Sequence, residues 1–195
     1  MEIAGRLYWR CPICQATLLD PPHYLSAEAE RAYYGLHRNE FADVAYRRFL
    51  SRLADPLSQH LAAGAVGLDF GCGPGPVLAQ MLCDAGFTMH CYDPFFCPDE
   101  SALQRRYDFI TCTESIEHFH RPAVEFDLFE RVLKPGGWLG LMTCFQTDDS
   151  RFARWQYRRD PTHVVFFREQ TFRVIAAQRQ WECLIPDKDV VLMRV

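Results

Sequence analysis

Ala65-Val66-Gly67-Leu68-Asp69-Phe70 runs into Gly71-Cys72-Gly73-Pro74-Gly75, an apolar strand that breaks into a glycine-rich turn. Residues 77–85 then read as a helix that exits through Gly86. Residues 87–92 form the next strand, and Asp93 closes it. Strand, helix and strand in succession predict a parallel sheet with right-handed crossovers. The pattern continues with a strand over 107–112, a helix over 123–133, and a strand over 138–143 after the turn Lys134-Pro135-Gly136-Gly137. These strands are apolar without clean alternation, which fits burial on both faces. The tail changes character. A helix over 168–178 leads to strands at 181–185 and 190–193, and Pro186-Asp187-Lys188-Asp189 between them is too short for a crossover helix. That last pair must be antiparallel.

In an open sheet of this kind the crevice at the carboxyl ends of the strands is the usual ligand site. Glycines let the backbone approach a ligand closely, but an acid just before them is poorly suited to a pyrophosphate. Asp69 suits a cationic group or a hydroxyl, and an acid in the place of Asp93 can accept hydrogen bonds from a ribose. Together they predict a nucleoside with a positively charged or zwitterionic tail and no phosphates. S-adenosylmethionine has that description.

On LDFGCGPG (68–75), YDP (92–94), YDFITCTESIEHFHRP (107–122), LKPGGWLGLMT (133–143) and DPTHVVFF (160–167), the chain resembles class I S-adenosylmethionine-dependent methyltransferases. The likeness is to the small ubiquinone-biosynthesis-like group and covers roughly residues 60–195. It implies a Rossmann-like α/β fold, mostly parallel, with helices on both faces and a C-terminal antiparallel hairpin. It also implies S-adenosyl-L-methionine as cofactor. Gly71, Gly73 and Gly75 would lie under the methionine portion, Asp69 near it, and Asp93 on the ribose. One interval departs from the group. Between residues 93 and 107 there is no room for the usual helix, strand and adenine-side acid, so a reduced sheet is expected, with Phe95 over an adenine face and Asp99 a weak substitute for the missing acid.

Methyl transfer needs donor and acceptor held close and aligned, with a base where the acceptor carries a proton. Glu114-Ser115-Ile116-Glu117-His118 matches the group's E-x-x-E-H stretch. His118 is the first base candidate, His163 in Asp160-Pro161-Thr162-His163 the second, and Glu114 faces the mouth of the site. A histidine at 118 that only bonds backbone and orients Glu117 is the plainer reading. For His163, Asp160 or Thr162 could fix the ring tautomer. Segment 148–163 carries Arg151, Arg154, Arg158 and Arg159 among Phe152, Trp155 and Tyr157. It could grip an anionic acceptor or stacked RNA bases, or form a packed lid.

Residues 1–60 read as a separate front section, and 61–195 as the methyltransferase domain. The front holds Cys11-Pro12-Ile13-Cys14, a knuckle able to present two thiolates to one metal ion. His23 and His37 could complete a structural zinc set. Two inert thiols and a redox pair are the other readings. A helix capped by Ser26 should run towards His37, and a second places Tyr46, Phe49, Leu50 and Leu53 on one face before stopping at Asp55-Pro56. Tyr33, Tyr34, Phe41 and Tyr46 would then cover the cofactor pocket.

The whole chain sets outer bounds. Its 195 residues contain 49% hydrophobic side chains, enough for a well-packed core. Lys+Arg 21 against Asp+Glu 25 gives a net charge of −4, so bulk attraction to nucleic acid or an anionic membrane surface is not expected. There is no apolar run of bilayer length and no signal-like start. Nine cysteines, an odd number, suit a reducing compartment. The expectation is a cytoplasmic methyltransferase acting on an oxygen or nitrogen of a small molecule. An RNA or protein methyltransferase and a non-catalytic scaffold on the same fold are the rivals.

Overall fold

The computed structural model describes residues 1–35 and 43–195. The front section is a small antiparallel sheet followed by a helix. β1 (Glu2–Ile3), β2 (Arg6–Arg10) and β3 (Thr17–Leu19) pair in chain order. Cys11 to Cys14 make the turn between β2 and β3, closed by Gln15 N–H to the Cys11 carbonyl at 3.0 Å. α1 (Ala27–Tyr34) starts at Ser26, whose Oγ accepts from Ala29 N–H as expected, and Gly35 closes it. The expected continuation to His37, with His37 itself and Phe41, lies outside the described residues.

α2 (Val44–Ser58) begins with Asp43 accepting from the Ala45 and Tyr46 amides. It runs through Pro56 instead of stopping there. Proline removes only one bond from the last turn, and Leu53 and Leu57, both fully buried, keep that turn on the sheet. β4 (Val66–Phe70), α3 (Val77–Asp84), β5 (Thr88–Tyr92), β6 (Tyr107–Thr113), α4 (Pro122–Val132) and β7 (Leu133–Met142) follow. Two short helices, α5 (Asp149–Phe152) and α6 (Gln156–Arg159), lead to β8 (Val165–Phe166). The chain then forms α7 (Glu169–Arg179), β9 (Glu182–Asp187) and β10 (Val190–Arg194).

The main sheet has six strands in the order β5-β4-β6-β7-β10-β9. β4 runs parallel to β5 and β6, and β6 parallel to β7. β10 is antiparallel to both β7 and β9. The short interval after Asp93 contains only a 3-10 turn, Glu100–Gln104, capped by Asp99, and β5 is left as the sheet edge. Asp99 is thus a helix cap.

Alternate residues face opposite layers, the period-two geometry of strands. Phe109, Met142, Val190 and Leu192 pack with Leu50, Leu53, Leu57, Leu78 and Leu82 of α2 and α3. Ile110, Leu139, Leu141, Val191 and Met193 pack with Phe126, Phe129 and Phe172 of α4 and α7. α2 approaches β7 at Gly140, where a Cβ would sit 3.1 Å from both Leu53 and Leu57.

One pairing went unread in the sequence. β3 bonds antiparallel to β8, Thr17 opposite Phe166 and Leu18 opposite Val165, which ties the front hairpin to the far end of the chain. Arg158, buried, reinforces the join by donating to the Tyr8 hydroxyl at 3.1 Å and to the Phe152 and Ala153 carbonyls. Among the described residues no helix is long and apolar enough to cross a membrane.

Candidate active site

A cavity of about 760 Å³ opens at the carboxyl ends of β4, β5 and β6. Its size falls within the range of small-ligand sites, roughly 300–1,000 Å³. One wall is backbone. Gly71 has φ +74° and Gly73 φ +64°, and a Cβ on Gly71 would lie 2.0 Å from Ser115 Oγ. Only glycine fits there, for steric and dihedral reasons together. Gly75 lines the cavity beside them.

Asp93, 7% exposed, braces that loop from below. Its Oδ2 accepts Gly73 N–H at 3.0 Å, and its Oδ1 accepts the Phe95 and Phe96 amides at 2.8 and 3.0 Å. Three of the four lone-pair directions of the carboxylate are therefore taken, and Oδ2 keeps one. Asp69 accepts from Thr111 Oγ1 at 2.8 Å, and burial pushes its pKa up to about 6. Phe95 lines the same wall and lies 5.7 Å from the Tyr34 ring. The six cofactor-side candidates from the sequence thus share one wall.

A second wall is made of side chains from separate segments. Glu114 follows β6 with φ +47°, a conformation uncommon for a residue with a Cβ. Loss of hydration holds its carboxyl well above the usual range, and Glu117 and Asp189 add to that. Glu117 is fully buried, with Oε2 accepting from Thr143 Oγ1 at 2.9 Å and Oε1 without a hydrogen-bond partner. His118 Nδ1 lies 3.0 Å from the Thr162 carbonyl, and His163 Nδ1 lies 2.7 Å from the Tyr157 carbonyl. A carbonyl only accepts, so each ring donates from Nδ1, and in its neutral form each keeps a lone pair on Nε2. The two rings are 4.7 Å apart, and burial lowers the His163 pKa, favouring the neutral ring.

The three acceptor-side candidates therefore come together. The tautomer of His163 is set by Tyr157, where the sequence pointed to Asp160 or Thr162; Thr162 serves His118 instead. Asp160 spends Oδ1 on the Thr162 amide and hydroxyl.

Tyr34 and Tyr46 line the cavity as expected, and burial together with Asp69 and Glu114 pushes Tyr46 up to about 12. Glu30 and His120, paired at 2.8 Å, also line it and were not anticipated. Glu117, Thr143 and Tyr157 were missed as a connected set, since Thr143 Oγ1 joins Glu117 Oε2 to the Tyr157 hydroxyl. Only Glu117 carried a signal, its place in the E-x-x-E-H stretch. Of the arginines in 148–163, Arg158 is buried and structural, while Arg151, Arg154 and Arg159 are exposed. Among the described residues lining the cavity there is no lysine or arginine.

Among the described residues no third ligand gathers with the front cysteines. Cys14 N–H approaches Cys11 Sγ at 3.5 Å, and backbone amides of Cys14 and Ile13 hold the Cys11 thiol below its usual range. His23 sits in the 3-10 turn Pro21–His23, and His37 is outside the described residues. Among the described residues, the one group of three or more His, Cys, Asp or Glu side chains spaced to share an ion is Glu117, His118 and His163.

A methyltransferase domain family matches residues 38–184. The ubiquinone biosynthesis O-methyltransferase of Thiobacillus denitrificans is 30% identical over 105 residues, 42% of this chain and 45% of that protein. The match thus spans less than half the length of that curated relative. Among solved structures, the Burkholderia thailandensis 1,6-didemethyltoxoflavin-N1-methyltransferase, with its substrate and S-adenosylhomocysteine bound, superposes with a TM-score of 0.55 at 16% identity, covering 95% of this chain and 97% of that one. The magnesium protoporphyrin IX methyltransferase of Synechocystis PCC 6803 gives 0.56 at 12% identity, over 87% and 91%. The strand order, the glycine turn and the family match over three quarters of the sequence agree: the chain belongs to the methyltransferase domain family, on its Rossmann-like fold.

Proposed function

We propose that this protein transfers a methyl group from S-adenosylmethionine to an oxygen or nitrogen of a small molecule. The observation that carries the reading is the Gly71–Gly73 turn braced by Asp93, which lines the cavity and keeps one lone pair on Oδ2. The ribose takes that lone pair, the methionine part lies along Gly71, Gly73 and Gly75 above Asp69, and Phe95 covers the adenine. The sulfonium then points across the cavity to Glu114, His118 and His163. In the transfer, a lone pair on the acceptor forms the new bond to carbon as the carbon–sulfur pair returns to sulfur. Where the acceptor carries a proton, Nε2 of His118 or His163 has the lone pair to take it. Residues 1–60 act as the cap that supplies Glu30, Tyr34 and Tyr46, while 61–195 carry the cofactor.

A cavity of this size, with the exposed arginines of 148–163 outside its lining, favours a small acceptor over a nucleic acid. Acceptor oxygen and nitrogen are both represented among the relatives, by the Thiobacillus and Burkholderia proteins. Isothermal titration with S-adenosylmethionine and S-adenosylhomocysteine tests the reading. Micromolar binding that weakens at least tenfold in Asp93→Ala supports it; folded protein that binds neither at millimolar concentration overturns it.

A further inference from the structure

Part of the cavity lining gathers acceptor atoms with no donor among them. Glu117 Oε1 is buried and unpartnered. His118 and His163 each donate from Nδ1 to a backbone carbonyl, so in their neutral forms the nitrogens left over are both lone-pair nitrogens. One ligating atom from each of the three residues lies within 4.8 Å of the other two, and Glu117 Oε1 is 3.9 Å from His118 Nε2. Packing a carboxylate oxygen against two imidazole lone pairs is repulsive, and burial deprives them of the water that would relieve it.

A compact cation among the three removes that conflict. Two imidazole nitrogens and one carboxylate oxygen are the donor set that zinc and the first-row divalent metals take. Both rings are also held from behind by a carbonyl on the other nitrogen, the usual support of a ligating histidine. Glu117 is steadied likewise by Thr143. Metal–ligand bonds of about 2.0–2.2 Å require the three atoms to draw somewhat closer together. His118 is half-buried and lines the cavity.

We propose that Glu117, His118 and His163 bind one divalent cation, zinc or a first-row transition metal, with its remaining positions open to the cavity. Glu30, Glu114 and Asp160 line the same space and add negative potential, and no lysine or arginine among the described lining residues opposes it. The cation gives the acceptor side the positive charge that its side chains lack, so an acceptor oxygen becomes a ligand. This role rests on the methyl-transfer reading; the binding of the metal does not.

The test uses the full chain, stripped with a chelator and titrated with Co²⁺, read by calorimetry and by visible ligand-field bands. One equivalent should bind. The bands should vanish and the affinity fall at least about 100-fold in His163→Ala and in His118→Ala. Their thermal melts and S-adenosylmethionine titrations serve as folding controls, because Glu117→Gln in the buried position is the variant most exposed to misfolding. Cys11→Ser with Cys14→Ser should leave the site intact. Binding that instead disappears with the cysteines and survives in both histidine variants overturns the proposal. So does failure of Co²⁺, Zn²⁺ and Mn²⁺ to bind at millimolar concentration. Loss of S-adenosylmethionine binding with the metal site intact counts against the methyl-transfer reading alone.

Discussion

The two walls of the cavity are built by opposite means. The cofactor wall is backbone. Gly71, Gly73 and the amides of Phe95 and Phe96 are fixed by dihedral angles and by one carboxylate, Asp93, within a single β-loop-α-β unit. The acceptor wall is side chain, drawn from the end of β6, from Thr143 after β7, and from the segment between α6 and β8. The first wall is satisfied locally except for one lone pair on Asp93 Oδ2. The second retains an unpartnered carboxylate oxygen, a glutamate with positive φ, and two rings with free lone pairs. A rigid cradle suits a cofactor of fixed shape. The unsatisfied wall is the part waiting for a partner, and strain of this kind is characteristic of functional sites.

If the backbone wall is as rigid as its geometry requires, Gly71→Ala should be the most damaging single change. The new Cβ meets Ser115 Oγ at 2.0 Å in a backbone conformation that disfavours it. We expect a cost of about 2–3 kcal/mol, seen as a melting shift of roughly 5–10 °C, with cofactor binding lost. Parent-like binding and melting would show that the loop adapts and that the contrast between the walls is false.

The brace can be removed separately. Asp93→Ala leaves the glycines in place but takes the acceptor from three amides, and cofactor affinity should drop about 10–100-fold. An affinity change below threefold in titration would mean that the loop holds itself.

On the side-chain wall, Thr143→Val deprives Glu117 of its one hydrogen bond to Oε2. It should cost about 1–3 kcal/mol by denaturant unfolding. Saturating Co²⁺ should recover much of that loss, and no recovery would count against a cation beside Glu117.

Glu114 supplies a pH test. The folded protein holds its pKa above the ordinary carboxylate value, so between those two values the folded state binds the proton more tightly than the unfolded state. Raising the pH through that window removes stability. Glu114→Gln has no such proton, and because Glu114 is exposed and partly screened by solvent, its melting advantage over the parent should grow from near zero at acid pH to about 1–2 °C at pH 8. An advantage independent of pH would place the effect in packing. By contrast, Arg151→Ala changes an exposed pair with Asp148 and should stay within about 0.5 kcal/mol in the same assay.

The cofactor wall was legible because its signals are contiguous. The glycines announce positive φ, and Asp93 closes the adjacent strand, so pattern and chemistry lie within one unit of chain. The acceptor wall was only partly legible. Glu114, His118 and His163 could be named from motifs, yet Glu117 was passed over because its significance depends on which neighbours fail to satisfy it. Thr143 was read only as the end of a strand, and Tyr157 only as one aromatic of segment 148–163. The front hairpin was only partly legible for a related reason. Cys11 and Cys14 advertise a metal by spacing, but among the described residues no third ligand gathers with them. Thr17-Leu18-Leu19 gave too short a strand signal to reveal a partner at Val165 and Phe166.

Periodicity, turn residues and connection lengths act over a few residues, and they were enough to fix the sheet's direction, its antiparallel finish, its missing interval and the glycine cradle. Proximity between Glu117, His118 and His163, the tautomer of each ring, and the join of β3 to β8 depend on contacts across long stretches of chain. Such contacts are chosen by how the two helical layers and the front hairpin pack, because the free energy that fixes them is shared among many buried side chains and belongs to no short motif.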